Sequence, residues 1–131
     1  MNNSKNILLV EDNKIVQLAT CIILRDFACR IDTAETGTKA LELCNNTCYD
    51  LIFMDIGLPV MNGSIVAKEI RKTSLHNKRT PIIALSAHSA EDVKKQCFES
   101  GIDDYLEKPL TDEKIRIMFN KFLNSHYINA R

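Results

Sequence analysis

The chain has 131 residues, 45% of them hydrophobic and 26% charged, with 17 basic and 17 acidic residues and a formal net charge of zero. That length suits one domain with a single modest core. The charge balance gives no basis for a general attraction to nucleic acid or anionic membrane, and no apolar run approaches the ~20 residues a membrane-spanning helix needs.

The first apolar run, Ile7 to Val10, follows MNNSKN and is too short for the apolar region of a signal peptide. The chain therefore reads as cytoplasmic. Runs at Leu51–Met54 and Ile82–Leu85 have the same character: short, aliphatic and without polar alternation. Such runs fit strands buried on both faces of a parallel sheet. Cys29–Thr33 and Asp104–Glu107 are weaker strand candidates. Between them, Ile15, Leu18, Ala19, Ile22 and Ile23 form the stripe of an amphipathic helix from Asn13 to about Asp26. A second helix is predicted over Thr38–Cys44 and a third over Gly63 to about Thr73. A fourth opens at Ser89, with Asp92 three residues later as in a capping box, and Gly101 is placed to end it. Thr111 can cap a fifth, in which Ile115, Met118, Phe119 and Phe122 face inward. Strand and helix alternate five times, which predicts an α/β fold with a parallel sheet and right-handed crossovers. One domain is expected over 1–124, followed by a tail at 125–131.

The five cysteines are odd in number and contain no CxxC pair. They read as reduced thiols serving as small apolar side chains. Cys44 and Cys48 lack the His or second Cys pair that a zinc site requires.

In an open α/β sheet, ligands sit beyond the carboxyl ends of the strands. Glu11 and Asp12 follow the first strand, Asp55 ends the third, Ser86 the fourth, and Lys108-Pro109 the fifth. Three clustered carboxylates repel one another, and a divalent cation resolves that repulsion. Magnesium is held by one or two carboxylates together with water and phosphate oxygens. Asp12 and Asp55 are the candidate direct ligands, with Glu11 acting through water and the backbone carbonyl of Gly57 completing the protein's share. Lys108 and Ser86 would then hold phosphoryl oxygens while a carboxylate acts as nucleophile. Taken singly, Asp12 reads equally well as a helix N-cap, Glu11 as a solvated strand end, Asp55 as a loop cap, Ser86 as a turn residue and Lys108 as a surface lysine. Their shared address at one rim favours the site.

The segments LLVEDN, DLIFMDIGLPVMNG, TPIIALSA and DDYLEKPL resemble the receiver domain of two-component response regulators. The resemblance runs from about Asn6 to Leu123. It implies a flavodoxin-like, doubly wound (βα)5 fold with strand order 2-1-3-4-5. It also implies phosphorylation of Asp55 from phosphohistidine, with Mg²⁺ on Asp12, Asp55 and the Gly57 carbonyl, Glu11 nearby, and manganese as an alternative ion. Ser86 and Tyr105 match the family's switch pair, which would reshape the surface of helix 4, strand 5 and helix 5. Lys108-Pro109 matches its cis peptide, and Gly57 and His88 match positions that set the phosphoryl lifetime.

The implied partners are a sensor histidine kinase or a histidine phosphotransfer domain, with a phosphorylation-dependent homodimer as a further possibility and no direct binding of nucleic acid. The phrases DIGLPVMNG and TPIIALSAH resemble receivers of hybrid sensor histidine kinases. On that reading the parent protein is a histidine kinase and this segment lies on the cytoplasmic side of the inner membrane. A stand-alone regulator is the alternative. A magnesium-dependent phosphohydrolase with an aspartyl nucleophile is a third reading, disfavoured because Gly57 stands where such enzymes carry their second acid. Independent multiple turnover is therefore not expected.

Overall fold

A computed structural model describes residues 4–87 and 97–123. Its elements, in chain order, are β1 (Asn6–Val10), α1 (Lys14–Arg25), β2 (Arg30–Ala34), α2 (Gly37–Asn46), β3 (Leu51–Asp55), α3 (Gly63–Thr73), β4 (Ile82–Ser86), the helical end α4 at 97–99, β5 (Asp104–Glu107) and α5 (Asp112–Phe122). The five strands form one parallel sheet in the order β2-β1-β3-β4-β5, the order that the resemblance implies. The expected cap of the fourth helix at Ser89–Asp92, the position of His88 and the tail at 125–131 lie outside the described residues.

The aliphatic runs work because a strand sends successive side chains to opposite faces. Leu8, Val10, Ile52, Met54, Ile82 and Ala84 enter one core, packed against Ala40, Cys44, Val66 and Ile70 of α2 and α3. Ile7, Leu9, Leu51, Phe53, Ile83 and Leu85 enter the other, against Leu24, Phe27, Ile115 and Phe119. Phe119 meets Phe27 edge-on at 5.1 Å and stacks on Phe53 at 6.4 Å. The sheet is thus buried on both sides, as unalternating strands require.

Four helices start on side-chain caps, which satisfy otherwise orphaned amide groups. Asn13 accepts from the Ile15 and Val16 amides, Asn62 from the Ser64 and Ile65 amides, Thr36 from Lys39, and Thr111 from Lys114. Gly101, at φ +88°, ends α4. The Ile102 and Gly101 amides donate back to Cys97 and Phe98 in the paired bonds of a Schellman motif.

The stripe on α1 is a correction. Ile15, Leu18 and Ile22 are 80%, 59% and 55% exposed, and the buried residues of the helix are Thr20 and Leu24. The sequence periodicity identifies a helix, but most of the apolar row it marks faces outward; of that row Ile23 packs against the core. β2 begins one residue later than expected, and α2 extends past both predicted ends.

Candidate functional site

Parallel strands bring Glu11, Asp12, Asp55, Ser86 and Lys108 to a cleft of about 550 Å³ at the carboxyl edge of the sheet. One ligand oxygen from each of Glu11, Asp12 and Asp55 lies within 4.8 Å of the other two. Each acid is held differently. Glu11 is 1% exposed and Asp55 4%. The Glu11 amide donates to the Ala34 carbonyl at 2.9 Å, tying this residue to β2. Its carboxylate accepts from the Asn13 amide at 3.1 Å and from Lys108 Nζ at 2.9 Å. Asp12 is exposed, and Asn13, not Asp12, caps α1 by accepting from the Ile15 and Val16 amides. The capping role that competes for Asp12 is therefore filled by its neighbour. From the apolar stripe alone Asn13 reads as the start of the helix, although Asn is among the best N-caps.

Asp55 Oδ1 accepts from the Gly57 amide at 2.8 Å, and Lys108 Nζ stands 3.3 Å from Oδ2. One ammonium thus pairs with two buried carboxylates that lie far apart in sequence. Burial favours the neutral lysine, but the Glu11 hydrogen bond and the Asp55 charge outweigh it and raise the Lys108 pKa. Burial also raises the Glu11 pKa, assisted by the Asp55 charge, while the bonds from Lys108 and Asn13 pull it back in part.

The loop after Asp55 turns sharply. The Met61 amide donates to the Pro59 carbonyl at 2.7 Å across Val60, which has φ +67°, a γ-turn geometry that is uncommon for a β-branched residue. The loop then returns to Gly63, where a Cβ would collide with the Asp55 carbonyl oxygen and come within 2.8 Å of Ile56 Cα. Gly63 is thus required by the close approach of α3 to the end of β3. From sequence alone, Asn62-Gly63 reads as a loop-shaping pair that enters the third helix, without the close approach that requires the glycine.

Ser86 is 3% exposed and lines the cleft. Its carbonyl accepts from the Lys108 amide at 2.7 Å, joining the ends of β4 and β5. The Lys108–Pro109 peptide is cis. Tyr105 is half-buried and pairs in register with Ala84, two residues before Ser86. These acids, the ammonium and the hydroxyl suit a hard divalent cation and a phosphoryl group. The acid cluster itself offers only carboxylate oxygens, the ligand type that magnesium prefers.

Comparison with known proteins gives a consistent picture. The family profile of the response regulator receiver domain matches residues 7–120. The chain is 35% identical over 117 residues to the aerobic respiration control sensor protein ArcB of Escherichia coli, covering 89% of this chain and 15% of that protein. It is 36% identical over 110 residues to hybrid signal transduction histidine kinase A of Dictyostelium discoideum, covering 82% and 5%. The chain therefore spans only a small part of these relatives. Among solved structures, the receiver domain of the sensor histidine kinase PA1611 from Pseudomonas aeruginosa, which has a magnesium ion coordinated in its active-site cleft, superposes with a TM-score of 0.85 at 33% identity over 93% of this chain and 99% of that one. The chemotaxis protein CheY4 of Vibrio cholerae superposes equally well, 0.85, at 26% identity over 91% and 98%.

Proposed function

Because the chain belongs to the response regulator receiver domain family, we propose that Asp55 accepts a phosphoryl group from a phosphohistidine donor. In the reaction the N–P bond of the donor breaks and an O–P bond to the Asp55 carboxylate forms. The observation that carries this reading is the convergence of Lys108 on Asp55 and Glu11, at 3.3 and 2.9 Å, beside an acid cluster able to take a cation.

Asp12, Asp55 and the carbonyl of Gly57 would hold magnesium or manganese, with Glu11 acting through water. The ion when bound supplies charge neutralisation for the transferring phosphoryl oxygens. The residues of the chain do the rest. Lys108 is already poised beside the carboxylate to hold a phosphoryl oxygen, and the Gly57 amide orients that carboxylate. Ser86 offers a hydroxyl from the neighbouring strand. Phosphorylation adds charge and acceptor oxygens at the end of β3. Movement of Ser86 toward the phosphoryl group would leave room for Tyr105 to turn inward, altering the α4–β5–α5 surface. That surface is then the candidate site for phosphorylation-dependent dimerisation. Gly57 and His88 tune the access of water to the phosphoryl group.

The exposed row Ile15, Leu18 and Ile22 lies on α1, which starts two residues after Asp12. An apolar helix face beside the acidic cleft suits docking of a helical phosphohistidine domain. The likeness to ArcB and to the Dictyostelium kinase favours a receiver from a cytoplasmic part of a hybrid histidine kinase. No helix among the described residues is long and apolar enough to cross a membrane.

The test is intact mass after incubation with Mg²⁺ and acetyl phosphate. The expected result is one base-labile phosphoryl adduct that is absent from Asp55→Asn. Sustained turnover of small phosphate esters would instead favour the phosphohydrolase reading, for which Gly57 provides no acid.

A further inference from the structure

Glu11 and Asp55 are held through their carboxylates, by Lys108 and by backbone amides. The Asp12 side chain is exposed and makes no hydrogen bond or ion pair among the described residues. Its backbone must therefore aim it, and both peptide planes that flank Asp12 are tied. On one side the Asn13 amide donates to Glu11 Oε2 at 3.1 Å. On the other the Glu11 carbonyl accepts from Gln17 Nε2 at 3.1 Å. A peptide unit is planar, so a bond to the Glu11 carbonyl oxygen fixes the direction in which the chain enters Asp12. That carbonyl lies past the last strand pairing of β1, at Val10, and past the Glu11 amide bond to the Ala34 carbonyl. A carbonyl only accepts, so the amide nitrogen of Gln17 is the end that must face it. Gln17 closes the first turn of α1, its own amide bonded to the Asn13 carbonyl at 2.9 Å. It is half-buried and lines a groove between α1 and β2 rather than the acidic cleft. Its link to the cleft runs through the Glu11 backbone.

We infer that Gln17 is a positioning residue for the cation site: by holding the Glu11 carbonyl it preorganises the backbone that presents Asp12. The inference rests on the reading of the acid cluster as a magnesium site. Magnesium demands a near-octahedral oxygen shell, so a ligand aimed slightly wrong binds poorly. Without the Gln17 tie, the backbone of Asp12 is held on one side only, and the cost of ordering it is subtracted from the binding energy. Residues that orient a metal ligand from outside the ion's own shell commonly change affinity tenfold or more when removed. The tie needs both an N–H and the full length of the glutamine side chain. Methionine keeps the length without the N–H, and asparagine keeps the N–H one methylene short.

The test is a titration of the whole chain with Mn²⁺, the free ion being followed by electron paramagnetic resonance and the fold by circular dichroism. Gln17→Met and Gln17→Asn should each bind Mn²⁺ about tenfold more weakly than the parent chain. Ala19→Gly loosens the same helix without touching the tie and should bind as the parent does. Parent-like affinity in either Gln17 variant would overturn the inference. So would an equal loss in Ala19→Gly, which would assign the effect to a loosened α1. A parent chain that binds no Mn²⁺, or that binds it undiminished as Asp12→Asn, would instead remove the cation site itself and this inference with it.

Discussion

Glu11 carries the most information of any single side chain in the cleft. As a residue after a strand it could be a solvated end, yet it is buried and held by both the Asn13 amide and Lys108. Its raised pKa has a definite sign in linkage. The folded, metal-free chain binds that proton more tightly than the unfolded chain, so the contribution to stability is full below the ordinary carboxylate value and is lost as pH rises through the raised one. Cation binding runs the other way, because the ion competes with the proton. Mg²⁺ affinity, measured by titration calorimetry, should therefore begin to fall on acidification at a higher pH than an ordinary carboxylate would give. In Glu11→Gln that early fall should vanish, while affinity at neutral pH drops through the loss of one negative charge. An unchanged pH profile in the variant would remove Glu11 from the ion's surroundings. Much of this cleft is legible from sequence, because parallel strands turn distant strand ends into neighbours. The partners of each acid are not legible, since which carboxylate Lys108 reaches depends on side-chain paths through packed space.

At the scale of elements, α1 marks where pattern reading reaches its limit. Ile15, Leu18, Ala19 and Ile22 recur at helical spacing, and the helix is there. An apolar stripe has a direction only relative to a core, however, and in α1 the inward side is held by Thr20 and Leu24, with Ile23 packed at its edge. An apolar row left in water on an otherwise satisfied helix signals a partner surface. In the central strands β1, β3 and β4 no such ambiguity arises, because both faces are covered and the large apolar side chains are buried whichever way they point. If the α1 row docks the phosphohistidine donor, a paired change Leu18→Asp and Ile22→Asp should slow transfer from a phosphorylated histidine domain by at least about tenfold, the equivalent of about 1.4 kcal/mol of docking energy. Autophosphorylation from acetyl phosphate, which needs no docking face, should keep its rate. Equal slowing with both donors would place the defect in the cleft and discard the docking role.

The whole molecule depends on a tie that lies far from the chemistry. Arg71, near the end of α3, donates to the carbonyls of Gly101, Asn77, Lys78 and Thr80 at 2.7–3.2 Å and to Asp103 at 2.8 Å. Asp103 in turn accepts from the Ile82 amide at 2.9 Å. One guanidinium thus binds the loop before β4 to the segment entering β5, and Gly101 packs against its stem so closely that a Cβ there would meet Arg71 Cγ at 2.7 Å. Burial lowers the Arg71 pKa, with the Asp103 charge and hydrogen bond opposing the shift, yet the group stays charged throughout the accessible range. Nothing in the sequence marks this residue, because a lone arginine late in an amphipathic helix reads as a solvated or dipole-facing charge. Arg71→Ala leaves several inward-turned carbonyls to water or to no partner, at a cost of about 2–4 kcal/mol. Arg71→Lys should recover only part of that loss, since an ammonium lacks the planar fork that reaches so many acceptors at once. Urea unfolding of the three proteins measures both differences. Because the tie holds the start of β5 rather than its Lys108 end, the phosphorylation rate of folded Arg71→Ala should stay close to that of the parent chain. A large rate loss in protein that remains folded would mean that the α3–β5 junction also sets the geometry of the acidic rim.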